Sequence, residues 1–119
     1  MARRSALIVD SDAGSAKLAS LLLEQVGWLA LVAHSVDAGR RVLDLLQVSV
    51  VVLEPGPSHE RGVAYLHAFR AAFPQLPIAI VSTNGWDAIA EREGCHFIRK
   101  PLDVATFATQ LIAIVEGSQ

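Results

Sequence analysis

The sequence predicts an α/β protein: a parallel sheet with helices on both faces. Two observations lead there. Five short apolar runs alternate with five stretches of helical period, and connections this short, returning each strand in the same direction, require a helix between neighbours. The runs are also apolar throughout instead of alternating with polar residues, as strands covered on both faces are.

Residues 6–9 form the first run and residues 15–26 the first helix, with Leu18, Leu21, Leu22 and Val26 at helical spacing and Gly27 placed to end it. Residues 29–33 are the second strand. Ser35 is a ready N-cap for a helix carrying Ala38, Val42, Leu45 and Leu46 on one face. Residues 48–53, rich in valine, are the clearest strand. Residues 54–61 form a loop, since Pro55, Gly56 and Pro57 neither stay helical nor pair in a sheet. Helical period returns over 62–73 with Val63, Leu66, Phe69 and Phe73 as its stripe, and Pro74 and Pro77 separate it from the strand at 78–81. A short helix over 86–93 stops at Gly94, and 96–98 is the fifth strand. After Pro101, Asp103 caps a last helix that runs to about residue 115.

At 119 residues the chain is long enough for one ordinary core and is expected to be a single domain over 1–119. A 52% hydrophobic and 18% charged composition excludes disorder. No apolar run approaches the ~18 residues of a membrane span. Arg3 and Arg4 start like a signal peptide, but the run behind them ends at Asp10, too short for its apolar region. A net charge of −2 gives no electrostatic reason to bind nucleic acid or an anionic membrane. The lone Cys95 excludes an internal disulfide or a cysteine-based zinc site. A cytoplasmic location is the expectation.

In an open parallel sheet, ligands bind beyond the carboxyl ends of the strands. There the sequence places Asp10, Ser11 and Asp12, then Glu54, then Ser82 and Thr83, then Lys100. Carboxylates, hydroxyls and an ammonium converging at one end suit a divalent cation with a phosphoryl group. Taken singly, each residue has a plainer use, and Asp10 or Asp12 could simply cap the first helix.

In order and spacing these residues resemble the receiver domain of two-component response regulators over nearly the whole chain. The carriers are Leu7-Ile8-Val9-Asp10, the valine run before Glu54, Gly62 eight residues after Glu54, the strand ending at Ser82-Thr83, and Phe97-Ile98-Arg99-Lys100-Pro101. The resemblance implies the flavodoxin-like strand order 2-1-3-4-5. It places Glu54 at the phosphoacceptor position, Asp10 and its neighbours in the Mg²⁺-binding acidic pocket, and Lys100 against the phosphoryl group. It makes Ser82 and Phe97 switch residues, Pro101 a cis-proline candidate, and the Gly56 carbonyl a metal ligand beside Asp10 and Glu54.

Three departures bear on function. Glu54 replaces aspartate; its extra methylene carries the carboxylate about 1–1.5 Å further, and a misplacement of about 1 Å can cost two orders of magnitude in transfer rate. That longer arm could instead pair with Lys100. Ser11 stands where a carboxylate would ligate Mg²⁺ directly, with Asp12 one residue late unless it swings in. Only 18 positions separate Ser82 from Lys100, so the fourth helix should be shortened.

The expected function is therefore that of a degenerate, non-enzymatic receiver-like module with Mg²⁺ binding weak or absent. It would act by contact with a protein partner: a sensor kinase, an output domain or another regulator. A homodimer would form through the fourth segment, fifth strand and fifth helix. The alternatives are a working phosphoacceptor using Mg²⁺ and a sensor histidine kinase, and a small-ligand sensor on the same pocket. His34, His59, His67 and His96 make no ligand spacing and are expected at the surface. Cys95 is a small core filler, with a redox role only if its thiol pKa is lowered. Trp28 should cover the first helix. Trp86 is either a partly exposed anchor for a partner or packing over the short helix.

Overall fold

A computed structural model describes residues 3–83 and 85–118; Met1, Ala2, Asn84 and Gln119 lie outside them. Five strands and five helices alternate strictly: β1 (Ser5–Val9), α1 (Ala13–Glu24), β2 (Leu29–Ala33), α2 (Val36–Leu45), β3 (Val50–Leu53), α3 (His59–Ala72), β4 (Ile78–Ser82), α4 (Asp87–Glu93), β5 (His96–Arg99) and α5 (Phe107–Gly117). The strands form one parallel sheet in the order β2-β1-β3-β4-β5. Reversal of strand order between β1 and β3 leaves a crevice above their carboxyl ends.

Because side chains alternate across a strand, each strand feeds two cores. Ala6 and Ile8 join Val52, Leu22, Phe107 and Leu111 under α1 and α5. Leu7 and Val9 join Val51, Leu53, Leu66, Phe69 and Trp86 under α2, α3 and α4. Every residue of β1, β3 and β4 is buried, which is why these strands read as unbroken apolar runs. Trp28 is buried on the α1 side, as covering the first helix requires.

Two helices turn a different face inward from the one periodicity suggests. In α1 the buried residues are Ala16, Ala19, Ser20, Leu22 and Leu23, while Leu18, Leu21 and Val26 are exposed. Small side chains let the helix lie close to the sheet beside Leu22 and Leu23, and Leu18 and Leu21 point outward. In α2, Gly39 and Leu43 are the buried pair; Leu45 is 83% exposed, Leu46 is also exposed, and Ala38 and Val42 are only partly covered.

Two helix starts also differ. α3 begins three residues before Gly62, because the Ser58 hydroxyl accepts the Arg61 N–H at 3.2 Å and caps the first turn. Asp103 caps a separate turn instead of the last helix: its carboxylate accepts the Ala105 N–H at 2.8 Å and α5 starts at Phe107. The fourth helix is short, as its spacing requires, with seven residues. Among the described residues no helix is long and apolar enough to cross a membrane.

Candidate functional site

A cleft of about 470 Å³ opens at the carboxyl ends of the strands, and Asp10, Ser11, Asp12, Glu54, Ser82 and Lys100 all reach it. Asp10 is held at the end of β1 by its own N–H, which donates to the Ala33 carbonyl at 3.0 Å. Its carbonyl accepts from His34 Nδ1 at 3.1 Å; a carbonyl only accepts, so Nδ1 carries the proton. Glu54 continues the β3 ladder, its N–H donating to the Val9 carbonyl at 2.9 Å. Lys100 is fixed from β4 through its N–H to the Ser82 carbonyl at 2.9 Å, and the Lys100–Pro101 bond is cis.

The Lys100 ammonium sits between two carboxylates, 3.1 Å from Asp10 Oδ2 and 3.1 Å from Glu54 Oε2. Burial pulls the pKa of this lysine down, but hydrogen bonds to Asp10 and Glu54, with the charges of both, outweigh it and hold the pKa above the usual value. The remaining oxygens are also taken. Asp10 Oδ1 accepts the Asp12 N–H at 2.9 Å, and Glu54 Oε1 accepts the Gly56 N–H at 3.3 Å. Gly56 itself sits at φ +83°, a conformation a side chain resists, as the chain turns out of the pocket.

Asp12 is turned away from the pocket floor. Its Oδ2 accepts the Ser15 N–H at 2.9 Å, so Asp12, and not Asp10, is the N-cap of α1. Ser11 is exposed beside it. Among the described residues no three His, Cys, Asp or Glu side chains are grouped to hold a metal ion. Mg²⁺ takes hard oxygens in a strict octahedron; Asp10 and Glu54 turn carboxylate oxygens to the cleft, each oxygen already accepting one bond from Lys100 or a backbone N–H.

Ser82 is buried at the end of β4. Phe97 is half-buried against the α2–α4 core, with the Arg99 guanidinium 5.8 Å from its ring centroid. Two wall residues were not among the expected site residues. Trp86 is 1% exposed and lines the cleft, so of the two readings it is packing and not a partly exposed anchor. His59 lies beside it, ring centroids 5.1 Å apart and edge to face. The near neighbourhood of Trp86 and Ser82 in sequence was the available signal. All four histidines are exposed, and none is grouped for ligation. Cys95 is half-buried; burial pushes its thiol pKa up, so a lowered pKa for redox sensing is absent.

No family model matches the chain. The transcriptional regulatory protein GlrR of Escherichia coli K12 is 31% identical over 101 residues, which cover 82% of this chain and 23% of that protein. QseF of E. coli O157:H7 matches equally. The chain thus spans less than a quarter of the length of these curated relatives. A response regulator receiver domain protein from Methanospirillum hungatei has a TM-score of 0.87 at 15% identity, covering 98% of this chain and 97% of that one. Vibrio cholerae chemotaxis protein CheY4 has a TM-score of 0.84 at 17% identity, covering 95% and 99%. NtrX of Brucella abortus reaches 0.88 at 23% identity, covering 98% of this chain and 28% of NtrX. The fold is that of CheY-like receivers. With the curated likeness, it supports a receiver domain of the response-regulator type.

Proposed function

We propose that this chain is a signalling module of a two-component pathway that works without phosphoryl transfer, with residues 1–119 forming one receiver-like domain. The observation that carries the reading is the Lys100 ammonium shared by Asp10 and Glu54 at 3.1 Å each. In-line transfer needs a nucleophile with a free, correctly placed oxygen and a cation opposite it. Here Glu54 already occupies the lysine and the Gly56 N–H, so its fixed negative charge stands in the pocket permanently. Ser82 and Phe97 are then held in a single arrangement instead of relaying a change.

Signalling in that case is contact with a protein partner: a sensor kinase, an output domain or another regulator. The face over α4, β5 and α5 carries exposed Asp87, Glu91, Arg92, His96 and Arg99, a charged surface suited to recognition by complementary charge. A second copy of the chain is one partner such a face could take. The net charge of −2 argues against a nucleic acid or a membrane as the partner, and we place the protein in the cytoplasm.

The test is intact-mass spectrometry after incubation with Mg²⁺ and a small phosphodonor, on wild type, Glu54→Asp and Ser11→Asp/Glu54→Asp. Wild type should keep its mass while the double variant gains one phosphoryl group. A phosphoryl group on wild type would overturn the reading in favour of a working phosphoacceptor.

A further inference from the structure

α4 has seven residues and no side chain caps its N-terminus. A helix that short does not hold itself together in water, because nucleation costs more than so few hydrogen bonds return. Contacts from outside must hold it: it packs on β5, and each of its two ends is also tied to α3.

At the start of α4, the Trp86 indole packs against the first turn of α3. Gly62 makes that possible: a Cβ there would stand 2.2 Å from Trp86 Cη2 and 2.5 Å from Cζ2, closer than any real contact. Pro55 closes the same space, 2.9 Å from that Cβ position, and His59 meets the indole edge-on. At the other end, Glu93 is the last residue of α4. Its carboxylate takes His67 Nε2 at 2.7 Å, and Arg70 donates to its backbone carbonyl. That carbonyl has no partner within its own helix, so α3 supplies the C-terminal cap from outside.

We propose that α4 is a rigid extension of α3, wedged by Trp86 at one end and clamped through Glu93 at the other. The surface α4 presents to a partner is therefore fixed in place. This rests on the preceding reading of an unswitched module and says where its fixity comes from. Of the two pins the wedge is the stronger. A buried indole removes a large apolar area from water, whereas His67 is exposed and Arg70 half-exposed.

The experiment is hydrogen exchange followed amide by amide on the full chain. The reporters are Ala90, bonded to the Trp86 carbonyl at 2.8 Å, and Cys95, bonded to the Ala90 carbonyl at 2.8 Å. In wild type both should exchange within about tenfold of Leu66 and Phe69 in α3, since one rigid unit opens together. Trp86→Ala should speed both reporters by at least about tenfold and leave Leu23 and Leu111 unchanged, and Glu93→Gln should give a smaller, same-sided effect. Trp86→Phe carries the test if the alanine variant fails to fold. Reporters that exchange freely in wild type, or do not respond to Trp86 substitution, or respond only together with Leu23 and Leu111, would overturn the proposal. Phosphoryl gain by wild type would instead strike the reading of the pocket, through mass and not exchange rate, so the two failures are separable.

Discussion

Two groups of charges in this molecule use the same chemistry with differently exposed partners. In the pocket, the Asp10 side chain is 6% exposed and those of Glu54 and Lys100 are each 18% exposed. Between α3 and α4, Glu93, itself 16% exposed, gathers His67, Arg70 and Arg92, whose side chains are 59%, 41% and 65% exposed. Water screens the cations of the second group, so each of its pairs contributes little. The pocket group is different in kind. Its charges lost most of their water on folding, so each depends on the others, and removing one leaves a poorly compensated neighbour. The pocket group therefore decides which arrangement the site adopts, and the surface group adjusts how firmly one helix is held.

The sharpest way to break that contrast is Lys100→Met. It leaves the Asp10 and Glu54 carboxylates facing one another with no cation between them. The expected loss is about 3 kcal/mol, the low end for a buried pair because Glu54 keeps some contact with water. Urea denaturation reads it. Adding Asp10→Asn and Glu54→Gln to the same variant should restore most of the loss, since no unpaired charge then stays buried. A loss under about 1 kcal/mol would put the pocket group in the same class as the surface one.

Next in size is Gly62→Ala, which attacks the apolar support beside the surface group. The added methyl must displace the Trp86 indole, and overpacking of this sort costs about 1–3 kcal/mol. Pairing it with Trp86→Phe should recover part of the cost, because the smaller ring leaves the space the methyl needs. Recovery by the pair, measured against the two single variants, separates a local clash from a general weakness of α3.

This wedge shows where sequence reasoning stops. β1 and β3 were legible because residues such as Leu7, Ile8, Val51 and Val52 are buried on whichever face they point to, so an unbroken apolar run suffices. The identities and order of Asp10, Glu54, Ser82 and Lys100 were legible for a related reason: strand ends converge in any parallel sheet. The inward phase of α1 was not. Apolar residues surround that helix, and whether Ala16 and Ala19 or Leu18 and Leu21 face the sheet depends on how close the sheet lies. The burial of Trp86 was hidden for a longer-range reason. Its socket is the absent side chain of Gly62, on another helix and 24 positions away. The engagement of both Asp10 oxygens is likewise a matter of distance that spacing does not carry.

Asp12 sharpens the comparison from another side, as a pocket acid outside the buried group. Its carboxylate caps α1 at an exposed position. Asp12→Asn keeps an oxygen to accept the Ser15 N–H and should change stability by only a few tenths of a kcal/mol, whereas Asp12→Ala removes the cap and should cost about 1 kcal/mol. If Asp12→Asn were as damaging as Lys100→Met, the acid would belong to the pocket's charge balance after all.

The smallest effect expected separates the two groups by pH. The hydrogen bond from His67, together with the charges of His67 and Arg92, outweighs burial and holds the Glu93 carboxyl below its usual 4.5. Its contribution is then present above that value, which is where the unfolded chain titrates, and is lost as pH falls through the lower folded value. Lys100 runs the other way. Held above its usual 10.5, it contributes fully below that value and loses its contribution as pH rises through the folded one. Glu93 therefore acts on the acid limb of the stability profile and Lys100 on the alkaline limb. Thermal midpoints taken across both limbs should show Glu93→Gln flattening only the first, and Lys100→Met, with Asp10 and Glu54 kept, flattening the second. A Glu93 variant that altered the alkaline limb would mean that the clamp on α4 and the pocket share one charge network, and the two groups would have to be treated as one.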